Sequence, residues 1–390
     1  MNTNFSDTIH YIGVDDTDLD LFESQYVVPE GVSYNSYLIL DEKTALMDTV
    51  DARCMEEWID KLDTALGDRH LDYLVISHLE PDHSGSILKL LAHHPDVTLV
   101  GNAKTFAMLP QFFDVPNTAT ITVKEGDTLA LGAHTLTFYM ASMVHWPEVM
   151  VTYESSEKIL FTADGFGKFG ALSQTADEDW ACEARRYYFN IVGKYGGPVQ
   201  ALLKKAAKLD IQTICPLHGP ILTENLDYYI GLYDTWSSYK PENKGVLIAY
   251  ASIHGNTGKA AEKLADIIRA KGEEKVIVSD LAREDMAEVI EDAFRYDRMI
   301  LAAASYDAGV FPCMLEFLHH LQSKAYQNRT VGILENGSWA PTAAKTMKSV
   351  LETLKNVTIV EPTVTIKTTL KEENMLVLEE LAEAIVNAGQ

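Results

Sequence analysis

The amino-acid sequence predicts an α/β protein in which two domains of different architecture follow one another. The chain has 390 residues, enough for two or three domains, and 47% of them are hydrophobic, which is ample for sizeable cores. A polar stretch at 237–245, which contains proline and glycine, separates two hydropathy patterns. We therefore predict a strand-rich domain over 1–242 and a doubly wound parallel sheet over 243–390.

The charge and the cysteine content argue against several classes of function. The formal net charge is -25, from 57 acidic and 32 basic residues, which disfavours binding to nucleic acids and to anionic membranes. The four cysteines form no C-x-x-C pair, which argues against a zinc ribbon, an iron–sulfur cluster or an appended rubredoxin. Because scattered cysteines suit a reducing compartment, and because no signal peptide or membrane span is visible, we expect a cytoplasmic protein.

The first domain is predicted from short apolar runs bounded by turns, with a few amphipathic helices between them. A hairpin is expected where two such runs flank the polar residues 41–43, and an aromatic stretch at 187–198 is interpreted as core and loop packing. The predicted strands cover 32–40, 44–48, 71–77, 97–101, 135–140, 159–164 and a run that begins at 211. The predicted helices cover 54–66, 87–91 and 199–209.

Four potential metal ligands lie within six residues at the end of one predicted strand, in the segment His78-Leu79-Glu80-Pro81-Asp82-His83. Alternate residues of an extended segment face the same side, so His78, Glu80 and Asp82 can point together. His83 would return from the following turn, because Pro81 is expected to keep the next helix from starting early. Imidazole and carboxylate together suit iron, manganese or zinc, and four such groups are more than one ion at an open site needs, which indicates two ions.

Three later residues, His145, Asp164 and His218, repeat this placement. Each lies just past an apolar strand, at a turn marked by glycine or proline. A single acid or imidazole at a strand end is more often a turn residue or a satisfied hydrogen-bonding group. Because all three share one geometry, they can converge with the first four on one face of the domain.

A strand that ends in His-x-Glu-x-Asp-His, followed by a distant His, a distant Asp and a final His, resembles the metallo-β-lactamase fold. Hydrolases of that superfamily usually carry histidine where this chain has Glu80, and the replacement is similar to the flavodiiron proteins, also called A-type flavoproteins. The resemblance implies an N-terminal αββα sandwich with two iron ions, and three carboxylates agree with iron rather than zinc. One iron would take His78, Glu80, His145 and Asp164, and the other Asp82, His83, Asp164 and His218, with Asp164 as the bridge.

The second domain is predicted from five apolar runs that alternate with helices. This alternation is typical of a parallel, doubly wound sheet. The predicted strands cover 246–250, 275–278, 299–304, 330–334 and 357–360, and the marked helices cover 258–270 and 375–388.

The turn after the first of these strands offers hydroxyls, an amide, a glycine and backbone N–H groups at a helix N-terminus. It lacks the two-glycine dinucleotide fingerprint and the lysine of a P-loop. Such a turn can bind a terminal phosphate without a fixed cation, although an ordinary helix cap uses similar residues. It resembles the phosphate loop of flavodoxins, which implies that the phosphate of FMN lies against Ser252, Ile253, His254, Gly255, Asn256 and Thr257.

Two further loops follow the third and fourth strands of this domain and carry aromatic residues that can flank a flat ring. In flavodoxin-like domains these loops hold the isoalloxazine ring. The implied flavin contacts are Ser305, Tyr306, Asp307, Ala308 and Gly309 in one loop and Asn336, Gly337, Ser338 and Trp339 in the other.

A di-iron domain joined to an FMN domain is the arrangement of flavodiiron proteins, and the resemblance covers nearly the whole chain. It implies an enzyme in which FMN passes electrons to two irons, which reduce dioxygen to water, nitric oxide to nitrous oxide, or both. The implied electron donor is a separate rubredoxin or another reduced donor such as deazaflavin. The implied assembly is a head-to-tail homodimer, or a dimer of such dimers, in which the flavin of one subunit faces the irons of the other.

Two other functions are compatible with parts of the pattern. One is a zinc hydrolase of the metallo-β-lactamase type with an accessory flavodoxin module, which Glu80 argues against. The other is an electron carrier that has lost its metals, which the complete set of seven ligand-type residues argues against.

Overall fold

The computed structural model describes residues 5–115, 118–175 and 179–389. The chain divides into two compact units, of which one combines Met1–Tyr188 with Gly197–Tyr233 and the other combines Phe189–Gly196 with Asp234–Gln390. The boundary expected between residues 242 and 243 stays a prediction. Within the described ranges, no helix has both the length and the apolar character needed to cross a bilayer.

Residues 5–237 form short strands connected by turns and helices. In chain order the strands are β1 (Ile9–Tyr11), β2 (Val14–Asp16), β3 (Leu21–Phe22), β4 (Tyr26–Val27), β5 (Val32–Tyr34), β6 (Tyr37–Ile39), β7 (Ala45–Met47), β8 (Tyr73–Val75), β9 (Thr98–Asn102), β10 (Thr120–Val123), β11 (Thr128–Ala130), β12 (Thr135–Met140), β13 (Met150–Glu154), β14 (Ile159–Phe161) and β15 (Thr213–Cys215). The helices are α1 (Met55–Leu66), α2 (Pro81–Ser84), α3 (Ile87–His93), α4 (Ala103–Phe112), α5 (Trp180–Tyr187), α6 (Gly196–Ala206) and α7 (Leu226–Ser237).

Two sheets of the first unit share one hydrophobic core. The first has the strand order β1-β6-β7-β8-β9-β10 and the second β11-β12-β13-β14-β15. Buried side chains of both sheets meet in this core, among them Met47 and Val75 from the first and Phe138 and Phe161 from the second. Helix α1 packs on β6 and α4 packs on β9 and β10, so helices cover the first sheet. The strand-rich part of the chain is therefore a sandwich.

The expected strand 32–40 is in fact two strands in different sheets. β5 pairs with β2, whereas β6 pairs with β1 and β7. The chain leaves the ladder at Asn35, because the side chain of Asn35 donates hydrogen bonds to the carbonyls of Pro216 and Gly219. The hairpin around residues 41–43, between β6 and β7, agrees with the prediction.

The aromatic stretch at 187–198 is buried as predicted, with Tyr187, Tyr188 and Phe189 in the core, but it is helical rather than a loop. α5 ends at Tyr187, a π-helical turn covers Tyr188–Val192, and a 3-10 turn covers Gly193–Tyr195. α6 then begins earlier than predicted, because Pro198 is tolerated in the first turn of a helix, where its missing N–H has no intrahelical partner.

Residues 243–389 form a mostly parallel sheet with helices between its strands. The strands are β16 (Asn243–Ala251), β17 (Val276–Asp280), β18 (Tyr296–Tyr306), β19 (Gly309–Val310), β20 (Arg329–Asn336), β21 (Val357–Ile359) and β22 (Val364–Ile366). The helices are α8 (Asn256–Ala270), α9 (Met286–Arg295), α10 (Pro312–Ser323), α11 (Ala343–Leu351) and α12 (Met375–Ala388).

Five parallel strands run in the order β17-β16-β18-β20-β21, with β19 antiparallel beside β18 and the short β22 parallel beside β20. In order of appearance the five parallel strands read 2-1-3-4-5, which is the doubly wound order of flavodoxins. Leu264 of α8 and Leu381 of α12 pack with Ile248 and Ile300 of the sheet in one core. All five predicted strands are present. The apolar runs alone do not mark five further elements, namely β19, β22, α9, α10 and α11.

Candidate metal centre and cofactor pocket

All seven predicted ligand residues lie beyond the ends of strands in the sandwich. The first sheet supplies the four residues after β8, and the second sheet supplies three residues, after β12, β14 and β15. In chain order they are His78, Glu80, Asp82, His83, His145, Asp164 and His218.

The segment after Glu80 is helical from Pro81 onward, so the expectation that proline delays the helix is wrong. Pro81 is the first residue of α2, a position that suits its fixed φ and its missing N–H. The N–H groups of His83 and Ser84 donate to the carbonyl of Glu80, which closes the turn. This turn directs Asp82 and His83 toward a second group of ligands.

The ligand atoms form two groups that share one carboxylate. The atoms of each group lie within 4.8 Å of one another, and the groups are His78, Glu80, His145 and Asp164 in one and Asp82, His83 and His218 in the other. Oδ2 of Asp164 lies 3.3 Å from Nε2 of His78 and 3.2 Å from Nε2 of His145. Oδ1 of Asp164 lies 3.2 Å from Nε2 of His83 and 3.8 Å from Nε2 of His218. A carboxylate in this position can bridge two ions.

The separations within each group suit a metal ion. Oε2 of Glu80 lies 3.1 Å from Nε2 of His78 and 3.0 Å from Nε2 of His145. The distances from Oδ2 of Asp82 to the two imidazoles of its group are 3.4 and 3.2 Å. Two atoms that each lie about 2.1 Å from one ion are about 3.0 to 3.4 Å apart in octahedral or tetrahedral geometry.

Several of these polar atoms are buried without a hydrogen-bond partner among the described residues. They are both carboxylate oxygens of Asp82 and of Asp164, both ring nitrogens of His83, and Nε2 of His218. An unpaired buried polar atom costs about 1 to 3 kcal/mol, so such a cluster calls for a ligand that satisfies it. The residues therefore fit two metal ions, and the mixture of imidazole and carboxylate suits iron.

Mutual electrostatics set the protonation of the metal-free centre. Burial alone would lower the pKa of His145, but the adjacent carboxylates of Asp164 and Glu80 outweigh burial and raise this pKa to about 9. Burial also opposes the charge on Asp164, yet the imidazoles of His78, His145 and His83 hold the pKa of Asp164 well below its ordinary value. Before a metal binds, Asp164 is therefore ionised at neutral pH and His145 is protonated.

Metal uptake is expected to release protons and to strengthen as the pH rises from 7 toward 9. His145 is protonated at pH 7, because its pKa is about 9, and it must become neutral to bind a metal. The apparent affinity should rise about tenfold per pH unit for each proton released. Calorimetric titration of metal-free protein with Fe(II), in two buffers of different ionisation enthalpy, measures the release.

The raised pKa of His145 also makes the stability of the metal-free protein depend on pH. Protonated His145 stabilises the fold fully below 6.5, the pKa of a histidine in the unfolded chain, and this stabilisation is lost as the pH rises through about 9. For metal uptake, an affinity that stays constant between pH 7 and about pH 9 would contradict the role of His145.

The turn that carries His218 is fixed by the segment around Ser33. Nδ1 of His218 donates to the carbonyl of Ser33 at 2.8 Å, and the N–H of Gly219 donates to the Ser33 hydroxyl at 2.7 Å. Gly219 has a φ of +79°, and a Cβ at this position would lie 2.6 Å from Cγ of Lys168. The turn therefore requires glycine directly after the histidine.

Aromatic rings lie against the imidazoles of the centre. Phe22, at the end of β3, has its ring 5.4 Å from that of His218, and the ring of Tyr187 lies 5.5 Å from it. The ring of Trp146 lies 5.1 Å from that of His78, with the two planes nearly perpendicular. These rings limit the access of water to the ligand nitrogens.

Glu148 contacts the metal centre, although the strand-end pattern does not mark it. Its Oε1 accepts a hydrogen bond from Nδ1 of His78 at 2.8 Å and another from the N–H of Leu79 at 2.9 Å, and its side chain is fully buried. The one feature of the sequence that could have identified Glu148 is its position three residues after His145, in the same turn.

The second unit contains a cavity of about 590 Å³ beyond the carboxyl ends of its parallel strands. Most of the predicted flavin contacts line it, namely Ser252, Ile253, His254, Asn256, Thr257, Ser305, Tyr306, Asp307, Ala308, Asn336, Gly337, Ser338 and Trp339. Gly255 and Gly309 are not among the lining residues, whereas Ala304, Ala340, Thr342 and Thr368 line the cavity without having been predicted. Thr368 follows β22, a strand that the sequence pattern does not mark.

The loop before α8 has the features of a phosphate site. Gly255 has a φ of +83°, which glycine adopts without strain, and it immediately precedes the helix. Oγ of Ser252 is buried without a hydrogen-bond partner among the described residues, so a phosphate oxygen would satisfy it. Tyr306 and Trp339 are 44% and 92% exposed, which leaves their rings available to a flat ligand.

Known proteins share both the fold and the order of these two units. The family model described as ODP family beta lactamase matches residues 32–219. A nitric oxide reductase from Moorella thermoacetica is 30% identical over 388 residues, which cover 97% of this chain and 97% of that protein. The solved structure of a rubredoxin oxygen:oxidoreductase from Desulfovibrio gigas has a TM-score of 0.93 and 27% identity, and the match covers 99% of this chain and 98% of that one.

A third neighbour shares the fold at lower sequence identity. The flavodiiron protein from Giardia intestinalis has a TM-score of 0.88 and 24% identity, and the match covers 99% of this chain and 95% of that one. The reductase names of the relatives do not favour the zinc hydrolase considered as an alternative.

Proposed function

The chain belongs to the flavodiiron proteins, and on this premise we propose that it reduces dioxygen to water, nitric oxide to nitrous oxide, or both, at a di-iron centre supplied with electrons by FMN. The observation that supports this most directly is Asp164, whose two oxygens face different halves of a seven-residue ligand set. The cavity in the second unit supports the flavin. The two gases correspond to the names of the relatives, a nitric oxide reductase and a rubredoxin oxygen:oxidoreductase.

We assign each iron to one half of the ligand set, with Asp164 shared between them. The first iron would be held by His78, Glu80, His145 and Asp164, and the second by Asp82, His83, His218 and Asp164. The pocket residues around Gly255 would hold the FMN phosphate, and Tyr306 and Trp339 would flank its ring system.

When bound, the irons and the FMN supply electron transfer and reduction of the gas. The protein holds, orients and encloses them. Glu80 and Asp82 would each bind one ion, while Asp164 would bind both. The hydroxyl of Tyr187 keeps its proton beside the centre, because burial and the charge of Asp164 raise its pKa well above the ordinary value. Trp146, which packs on a ligand imidazole, helps to exclude water.

The electron donor is proposed to be a rubredoxin, as in the name of the Desulfovibrio gigas relative, or another small reduced donor. The proposed assembly is a head-to-tail homodimer or a dimer of such dimers, which would cover the exposed ring of Trp339. Full activity in a protein that stays monomeric would contradict that assembly. The proposed location is the cytoplasm, because all four cysteines are free thiols, which suits a reducing compartment.

The function is tested by mixing the anaerobically reduced protein with each gas in a stopped-flow instrument, after its iron and flavin have been quantified. We expect at least one gas to reoxidise the protein within about a tenth of a second, which corresponds to roughly 10 turnovers per second. Free reduced FMN at the same concentration is the control for flavin chemistry in solution. If neither gas reoxidises the protein faster than free FMN, the function is wrong although the fold stands.

A further inference from the structure

Glu148 links the two loops that supply the first group of ligands. It lies in the same turn as His145, and its Oε1 bonds both Nδ1 of His78 and the N–H of Leu79. Nδ2 of Asn102 donates to the carbonyl of Glu148 at 2.5 Å, which fixes the backbone of the turn. One carboxylate thus sets the ring orientation of His78 and leaves Nε2 as the nitrogen that faces Glu80 and Asp164.

Burial of Glu148 has a cost that a purely structural role does not explain. Its side chain is 0% exposed, and its second oxygen, Oε2, has no hydrogen-bond partner among the described residues. A buried carboxylate that is only half satisfied destabilises a fold relative to an apolar residue of similar size. Oε1 of Glu148 accepts two hydrogen bonds, from Nδ1 of His78 and from the N–H of Leu79, and this arrangement favours an ionised carboxylate behind the ligand.

In the other half of the centre, no carboxylate of the described residues hydrogen-bonds the Nδ1 of either imidazole. Nδ1 of His218 donates to the neutral carbonyl of Ser33, and Nδ1 of His83 has no hydrogen-bond partner among the described residues. A carboxylate behind a ligand imidazole increases the basicity of the imidazole and so strengthens its bond to the metal, whereas a carbonyl does so less. The two halves therefore differ in the groups that surround their ligands.

We propose that Glu148 is a positioning residue that makes the two iron positions unequal, so that the half with His78 binds its ion more tightly and favours the ferric state more strongly than the half with His83 and His218. This inference rests on the proposed di-iron function. In a titration with dithionite each ferric ion takes one electron and becomes ferrous. The iron beside His83 and His218 is then reduced first.

The test compares Glu148→Gln with the wild-type protein in two measurements that do not depend on gas turnover. Glutamine keeps the size and the acceptor oxygen but removes the charge. Anaerobic calorimetric titration of the metal-free protein with Fe(II) should show a loss of about 10- to 100-fold in affinity for one of the two ions. Mössbauer spectra of the protein loaded with ⁵⁷Fe should show a change in one of two iron signals while the other is unchanged.

Two further variants separate this effect from a general loss of packing. Glu148→Asp keeps the charge and should recover most of the affinity. The matched control is Glu154→Gln, because Glu154 is also 0% exposed and its Oε1 lies 3.1 Å from Nδ1 of His134, which is not among the ligands. We expect Glu154→Gln to leave both metal affinities and both Mössbauer signals unchanged.

Several results would overturn the proposal. They are unchanged metal affinities in Glu148→Gln, an equal loss of affinity for both ions, or a single Mössbauer signal for both irons of the wild-type protein. The wild-type spectrum remains informative even if the variant does not fold. Failure of the proposed function is distinguishable, because a protein with two unequal irons that reduces neither gas would retain this inference. Conversely, if the protein reduces a gas but Glu148→Gln leaves both metal affinities unchanged, only this inference is overturned.

Discussion

Replacement of Asp164 by asparagine is expected to remove iron from both halves of the centre and to slow gas reduction at least about a hundredfold. Asp164 is the residue whose two oxygens face imidazoles of both groups, at 3.2 Å from His145 and from His83. Asparagine has the same shape, but its amide nitrogen cannot replace a carboxylate oxygen as a metal ligand. Iron analysis and stopped-flow reoxidation measure the two effects, and the FMN content should be unchanged.

The control for this substitution is Asp210→Asn. Asp210 is 66% exposed at its side chain and pairs with Lys158 on the surface, so its replacement removes a carboxylate without touching a candidate ligand. We expect wild-type iron content and rate in this control. Two tightly bound irons per chain in Asp164→Asn would show that the carboxylate does not bridge them.

Replacement of Asn256 by aspartate is expected to remove FMN while both irons remain bound. Asn256 is the first residue of α8 and lines the cavity, where the N–H groups of the helix would face the phosphate. A carboxylate placed beside a phosphate should cost about 3 kcal/mol. This cost corresponds to roughly a hundredfold loss of FMN affinity. Fluorescence titration of flavin-free protein measures the affinity, and iron analysis tests the metal centre.

Asn356→Asp is the matched control for the flavin site. Asn356 is exposed, lies outside the cavity, and has a φ of +53° that aspartate also adopts readily. It introduces the same charge into the same unit and should leave FMN binding unchanged. Wild-type FMN affinity in Asn256→Asp would mean that the phosphate lies elsewhere.

The sequence was sufficient to mark the seven residues that the structure brings together, because acids and imidazoles at strand ends are a local signal. It also located the five parallel strands, since each is a continuous apolar run. Local pattern did not reveal the break at Asn35, which depends on carbonyl partners about 180 residues away in the chain. It did not reveal the contact between Glu148 and His78 either, because the partner of a buried acid is decided by tertiary packing.

The errors in local structure have a common physical cause. Proline is expected to delay the helix after Glu80, whereas Pro81 and Pro198 both lie in the first turn of a helix, where a proline costs no hydrogen bond. Strand β22 has only three residues, too few to show a periodicity, and Thr368 in the cofactor cavity was missed with it.

The proposed ligands come from both sheets of the sandwich and span the chain from His78 to His218. Metal ions bound there would connect the two sheets, so the free energy of metal binding contributes to the stability of the folded protein. Without iron, the buried acids and imidazoles lose their partners and a larger fraction of molecules opens to proteases. We expect cells grown with little iron to degrade the protein faster, so that its abundance falls even when its rate of synthesis does not change.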